Sequence, residues 1–143
     1  MSEDKASRNE YFQMMKEAVN NSPYYRHIGM EVVDAGDGKS QLRLNGDQPL
    51  ANLFGVLHGG VTASLIDSAC GVALGSVLEP GERTVTADLR VNYIAPAPCD
   101  AVTVEGEVLH KGKQTGVVEA VVKGPDGALL AKGMTTHIIL RMG

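Results

Sequence analysis

A Pro-free run of small and apolar residues, from Gly59 to about Leu78, constrains the fold of this chain more than any other feature. Its length corresponds to roughly five helical turns at a rise of about 1.5 Å per residue. Because the run is apolar nearly all round, a helix built from it must be surrounded by the rest of the chain. The sequence therefore predicts one long helix buried at the centre of the fold.

The sequence after Pro80 changes from helical to strand periodicity. In "TVTADLRVNYIAPA" a polar residue alternates with an apolar one, which is the period of a half-buried strand. Three more β-type runs follow at 101–109, 114–122 and 128–140, and the turns "HKGK" and "GPDG" separate them. These runs predict strands that pack around the helix.

Two further elements precede the helix. The tetrapeptide "SRNE", which starts at Ser7, fits a capping box and is followed by apolar residues at helical spacing, so a short N-terminal helix is expected within an extension of residues 1–25. The segment "MEVVDAGDGKSQLRLNG" places two β-type runs around a Gly-Asp-Gly turn, as in a hairpin. We predict a single α+β domain over 1–143, in which one antiparallel sheet of about five to six strands wraps one central helix.

Composition excludes several classes of function. The 143 residues are 43% hydrophobic and 21% charged, as in an ordinary globular domain, and the net charge of −4 carries no basic patch for nucleic acid. The absence of a long apolar stretch argues against a membrane protein, and the polar N-terminal segment favours a cytoplasmic one. Cys70 and Cys99 lack metal-ligand spacing, so we expect reduced structural thiols, and neither a metal nor a cofactor.

The stretch "NLFGVLHGGVTASLID" is the candidate functional site, because it brings polar residues to the start of the apolar helix. Gly59 and Gly60 leave backbone N–H groups uncovered at the positive end of the helix dipole, where an oxyanion could bind. They could equally serve only to turn the chain. His58 could be catalytic, or could donate to a loop carbonyl. Asn52 could be only a turn former, because Asn readily bonds its own backbone.

Asp67 is the most informative residue of this stretch. It lies among apolar residues in a helix predicted to be buried, and an unpaired buried carboxylate is costly. It therefore needs either a partner, such as an arginine or a backbone amide, or a chemical role. Nine helical residues place it about 13 Å from His58, too far for a shared metal ion. Motifs for a nucleophile elbow, a phosphate-binding loop and a dinucleotide site are absent from the sequence.

The spacing of Asn52, His58-Gly59-Gly60 and Asp67, together with "VTADLRVNYIAPA" and "GALLAKG", resembles the hotdog-fold acyl-CoA thioesterases of the phenylacetic-acid-degradation type. The resemblance covers about 28–140. It implies a long helix wrapped by an antiparallel sheet. It also implies a homodimer with shared active sites, with dimers paired into a homotetramer.

The resemblance also implies a role for each residue of the site. Asn52 and the N–H of Gly59 would bind the thioester carbonyl, with His58 beside the leaving sulfur. Asp67 would be the nucleophile or the general base for water. Thr86 stands where the family often has serine, and it keeps the hydroxyl that places the water while adding a methyl group. Further contacts to the acyl-CoA are expected from the rest of the helix start and from the preceding loop, through Gly60 and Phe54.

The same spacing argues for a shared site independently. Gly59 and Asp67 would lie about 12 Å apart on one helix, whereas an oxyanion donor and a base must meet at one carbonyl. Two rivals remain. Hotdog hydratases carry a "GDxNPLH"-like segment, whose histidine is missing from "GDQPLANL" here. A non-catalytic acyl-CoA-binding module, as in some transcriptional regulators, would normally bring a DNA-binding domain, for which the N-terminal segment is too short.

Overall fold

The computed structural model describes residues 2–46 and 49–142 and contains three helices and six strands in that part of the chain. The helices are α1 (Ser2–Asn20), α2 (Pro23–Ile28) and α3 (Gly59–Gly75). The strands are β1 (Met30–Gly36), β2 (Lys39–Leu44), β3 (Glu82–Tyr93), β4 (Thr103–Lys111), β5 (Thr115–Lys123) and β6 (Leu129–Arg141).

The six strands form one antiparallel sheet in the order β1-β2-β4-β5-β6-β3, and α3 contacts all six of them. This arrangement confirms the predicted α+β fold, with a long central helix wrapped by an antiparallel sheet. The predicted hairpin is β1–β2. The order also leaves β3, a strand of 12 residues, at one edge of the sheet.

Glycines in the sheet allow α3 to approach closely. A Cβ atom at Gly133 would lie 2.7 Å from Cγ2 of Ile66, and one at Gly106 would lie 2.7 Å from the carbonyl oxygen of Ala69. Any larger residue at these positions would push the helix off the sheet. The helix face against the sheet is buried and consists of Val61, Thr62, Leu65, Ile66, Ala69, Cys70, Ala73 and Leu74.

A β-bulge interrupts the alternation predicted for β3. Thr86 pairs with His137 and Asp88 pairs with the adjacent Thr136, so Ala87 is the extra residue. The bulge shifts the phase of the side chains by one position. Thr86 therefore contacts α3. Val91 pairs with Gly133, which faces α3, and so lies on the same side of the sheet as Thr86, although the two residues are an odd number of positions apart in sequence. The simple polar/apolar alternation, which puts these two on opposite faces, was wrong at this point.

The helix boundaries also differ from the predicted ones. Helix α1 begins at Ser2, before the capping box predicted at Ser7, and the short helix α2 was not predicted. Helix α3 ends at Gly75 because the next residue, Ser76, donates its hydroxyl to the carbonyl of Ala73 and accepts from the N–H of Gly38. The Ser76 side chain therefore ties the end of α3 to the β1–β2 turn.

Candidate active site

His58 caps the N-terminus of α3 and occupies one of its free amides. Its Nδ1 atom accepts from the N–H of Gly60 at 2.9 Å, and its carbonyl accepts from the N–H of Val61 at 2.9 Å. Because Nδ1 is an acceptor, the neutral ring carries its proton on Nε2. Among the described residues, the N–H of Gly59 has no partner, so it is the amide of this turn that remains free to donate.

Asn52 is a turn former, as one of the two interpretations of the sequence had it. Its Oδ1 atom accepts from the N–H of Phe54 at 2.8 Å and from that of Val56 at 3.3 Å. The loop is closed by a hydrogen bond from the Asn52 N–H to the Val56 carbonyl at 2.7 Å. Since both backbone amides bind the oxygen, the side-chain NH2 group is fixed in orientation. Asn52 can therefore shape the loop and donate to a ligand at the same time.

Asp67 is half-buried, which corrects the expectation of a fully buried carboxylate. It lies at the margin of the buried face of α3, next to Thr86 of the edge strand β3. Its Oδ1 atom accepts from the hydroxyl of Thr86 at 2.8 Å, and among the described residues it forms no ion pair. A carboxylate held by one hydroxyl, with its second oxygen unengaged, is suited to accept a proton from water.

The loop before α3 is strongly exposed. Leu53 is 93% exposed and Phe54 is 84% exposed, at a bend where Gly55 has a φ of 81°. Leu53 and Phe54 thus place two adjacent large apolar side chains on the surface next to the start of α3.

The site residues thus form two clusters rather than one. The first contains Asn52, His58 and Gly59 at the N-terminus of α3, and the second contains Asp67 and Thr86. They are eight helical positions apart, about 12 Å along the axis. One chain therefore holds a group of hydrogen-bond donors at the start of α3 and a separate carboxylate–hydroxyl pair.

Sequence reasoning missed a buried polar cluster behind Thr86. His137, its neighbour on β6, is 2% exposed, and its Nε2 atom lies 2.9 Å from the hydroxyl of Thr135. Burial lowers the pKa of His137, and the charge of Asp67 opposes part of that effect. Burial likewise raises the pKa of the Cys70 thiol to about 11, so this thiol stays protonated. A signal was present in "TTHII", where polar residues occupy inward positions of the strand.

His137 should make the folding stability depend on pH. Because its pKa is lower in the folded protein than its unfolded value of 6.5, the unfolded state binds a proton first as the solution is acidified. The free energy of unfolding should be highest above pH 6.5 and should fall as the pH drops below it. His137→Gln should flatten this slope in urea titrations carried out over this pH range. Equal slopes for wild type and His137→Gln would contradict the assignment.

In the part of the chain that the structure describes, no helix is long and apolar enough to cross a membrane. Likewise, no group of three or more His, Cys, Asp or Glu side chains among those residues could hold a metal ion.

Comparisons with known proteins agree on one family. A family model described as the thioesterase superfamily matches residues 54–131. The 1,4-dihydroxy-2-naphthoyl-CoA hydrolase of Listeria monocytogenes is 31% identical over 103 residues, which cover 72% of this chain and 84% of that protein. Acyl-coenzyme A thioesterase 13 of Homo sapiens is 29% identical over 133 residues, covering 91% and 92%. A solved structure of a conserved protein from Pseudomonas aeruginosa matches with a TM-score of 0.78 at 38% identity, covering 83% and 94%.

The chain belongs to the thioesterase superfamily, and its fold is the hotdog fold. It is a thioesterase. Its resemblance to the phenylacetic-acid-degradation type within that superfamily stays a prediction.

Proposed function

We propose that this protein hydrolyses acyl-CoA thioesters at sites formed between two protomers. Asp67 and Thr86 of one protomer would activate water, and Asn52, His58 and Gly59 of its partner would bind the thioester. The observation that carries this proposal is the separation of the two clusters along α3. The first cluster lacks a base for water, and the second lacks donors for the thioester carbonyl. The Listeria and human relatives, whose names specify CoA thioesters, support the substrate class.

The geometry supports a direct hydrolysis. Asp67 would take a proton from a water molecule that the Thr86 hydroxyl helps to place, and the water oxygen would attack the thioester carbon. The N–H of Gly59 and the NH2 group of Asn52 would hold the developing oxyanion. When the carbon–sulfur bond breaks, the electron pair leaves on sulfur as a thiolate, to which the Nε2–H of the neutral His58 ring would donate a hydrogen bond while keeping its proton. The proton held by Asp67 would then reach the thiolate through solvent, which regenerates the carboxylate. The products would be a free acid and the CoA thiol.

The unpaired edge of the sheet supports the dimer. Strand β3 presents 12 residues at an open edge, and a long open edge normally pairs with another chain or is covered. Pairing of two β3 strands about a two-fold axis would continue the sheet and set two α3 helices side by side and antiparallel. The same contact would cover the exposed Leu53 and Phe54, and would place Phe54 against the acyl-CoA.

The outer face of the sheet offers a surface for pairing two dimers. Val85 and Ile138 are cross-strand partners, are 50% and 43% exposed, and share this face with Met134 and Leu140. Such an apolar patch in a soluble protein is typical of a protein contact. We propose that it supports a tetramer, in which no active-site residue takes part.

Release of CoA from a panel of acyl-CoAs, followed with a thiol reagent, tests the proposed function. The panel should span aryl-acetyl, short, medium and long acyl chains, and an α,β-unsaturated acyl-CoA. Thiol release from at least one of them is expected. Tight binding without release would instead indicate a binding module, and loss of the double bond with the thioester intact would indicate a hydratase.

Thr86 should act through its hydroxyl rather than its shape. Thr86→Ser keeps the hydroxyl and should change kcat little, whereas Thr86→Val keeps the shape and should lower kcat by about 10-fold or more. The two variants are matched because serine lacks only the methyl group of Thr86, whereas valine replaces only its hydroxyl. Steady-state kinetics on one acyl-CoA would check this, and equal kcat values would show that the hydroxyl is not used.

A further inference from the structure

Tyr93 makes a contact that neither packing nor the proposed chemistry yet explains. It ends β3 and is 56% exposed, so burial of its ring does not account for its position. Its hydroxyl donates to the carbonyl of Gly59 at 2.6 Å. Its ring also covers Gly59, where a Cβ atom would lie 3.3 Å from the phenol oxygen and 3.4 Å from two ring carbons. Tyr93 therefore contacts the residue whose N–H remains free.

The hydrogen bond of Tyr93 holds one end of a short chain of hydrogen bonds. The carbonyl of Gly59 and the N–H of Gly60 belong to the same peptide unit, and that N–H donates to Nδ1 of His58. A donor on the carbonyl polarises the peptide and strengthens the bond that its N–H makes. Tyr93 thus supports the ring orientation and the tautomer of His58, with the proton on Nε2.

The same contact limits the freedom of Gly59. Two peptide units meet at this glycine, and without a side chain its backbone torsions are soft. The preceding unit is held because the carbonyl of His58 accepts from Val61 at 2.9 Å. The following unit is held by Tyr93 on one side and by His58 on the other. With both units fixed, the free N–H of Gly59 keeps one direction.

We propose that Tyr93 is a positioning residue, which orients both the N–H of Gly59 and the Nε2–H of His58 through the peptide between residues 59 and 60. This inference rests on the proposed function, because it assigns those two groups to the thioester. It also gives β3 a role at both clusters, since Thr86 contacts Asp67 in the first half of the strand and Tyr93 contacts Gly59 at its C-terminal end.

Tyr93→Phe is the appropriate test because it keeps the ring over Gly59 and removes only the hydroxyl. We expect kcat to fall about tenfold with KM nearly unchanged, since the donors bind most tightly in the transition state. The effect should be smaller than the 10²–10³-fold loss typical of deleting a whole oxyanion donor. Tyr24→Phe is a matched control. It also removes a phenol contact of 2.6 Å to α3, but that contact is to Ser64, and kcat should change less than twofold.

A measurement that needs no turnover separates this inference from the proposed function. Nitrogen NMR of the His58 ring should show the proton on Nε2 in the wild type and a mixture of tautomers in Tyr93→Phe, with faster solvent exchange of the Gly60 amide. A change in both kcat and the His58 signals supports the inference, and a change in only one or in neither overturns it. If the wild type cleaves no acyl-CoA in the panel, the proposed function fails and the His58 signals alone decide on Tyr93: changed signals support its positioning of His58, and unchanged signals overturn it.

Discussion

Asp67→Asn should lower thioester hydrolysis by at least about 10²-fold, because the amide cannot take the proton from the attacking water. The variant is nearly isosteric, and its side-chain oxygen can still accept the Thr86 hydroxyl that now binds Oδ1. Since no ion pair of Asp67 is lost among the described residues, the melting temperature should hold or rise.

Thiol release and ligand binding measured on the same preparation would check this result. A thioether analogue of the acyl-CoA, which lacks the reactive carbonyl, should bind to wild type and Asp67→Asn with similar affinity. Loss of kcat together with retained binding would assign Asp67 to the chemical step. A variant with near-normal kcat would show that another group activates the water.

Two inactive variants should restore each other's activity if the site is shared between protomers. Asp67→Ala removes the base. Asn52→Asp removes the donor NH2 group but keeps an oxygen that can accept from Phe54 and Val56, so the loop should stay folded. In a mixed dimer, one of the two sites combines the native Asn52 of one chain with the native Asp67 of the other.

The expected recovery can be calculated from random pairing. Half of the dimers are mixed and each has one intact site of two, so the refolded mixture should approach about a quarter of wild-type activity. Different affinity tags on the two chains would prove subunit exchange. If exchange is complete and the mixture remains as inactive as its parents, Asn52 and Asp67 do not serve a common site across a dimer.

Much of the fold followed from periodicity, whereas the site depended on contacts that periodicity does not encode. The strands after Pro80 were predictable because polar and apolar residues alternate in them, and the central helix because its Pro-free apolar run is too long for a strand. The bulge at Ala87 was not predictable, because nothing in the residue types of β3 marks one of them as extra. The bulge becomes visible only in the pairing register of β3 with β6. That bulge decides that Thr86 faces Asp67.

The roles at the start of α3 were only partly predictable. Residue types indicated that His58 and the two glycines could form an anion-binding helix end. The choice of donor required the structure, because Gly60 gives its N–H to His58 while Gly59 keeps its own free. The half-buried state of Asp67 could not be foreseen either, since an apolar sequence does not reveal how completely each side of a helix is covered.

A single turnover in ¹⁸O-labelled water, with enzyme in excess over an acyl-CoA that the panel identifies, follows the water oxygen to the atom that it attacks. If Asp67 activates water at the thioester carbon, one CoA thiol and one acid are released, and the acid formed in this single turnover carries one ¹⁸O atom. An unlabelled acid with the label on Asp67 would show instead that the carboxylate is the nucleophile and that water is not activated at the thioester carbon. Failure to release CoA at all would contradict the proposed acyl-CoA hydrolysis itself.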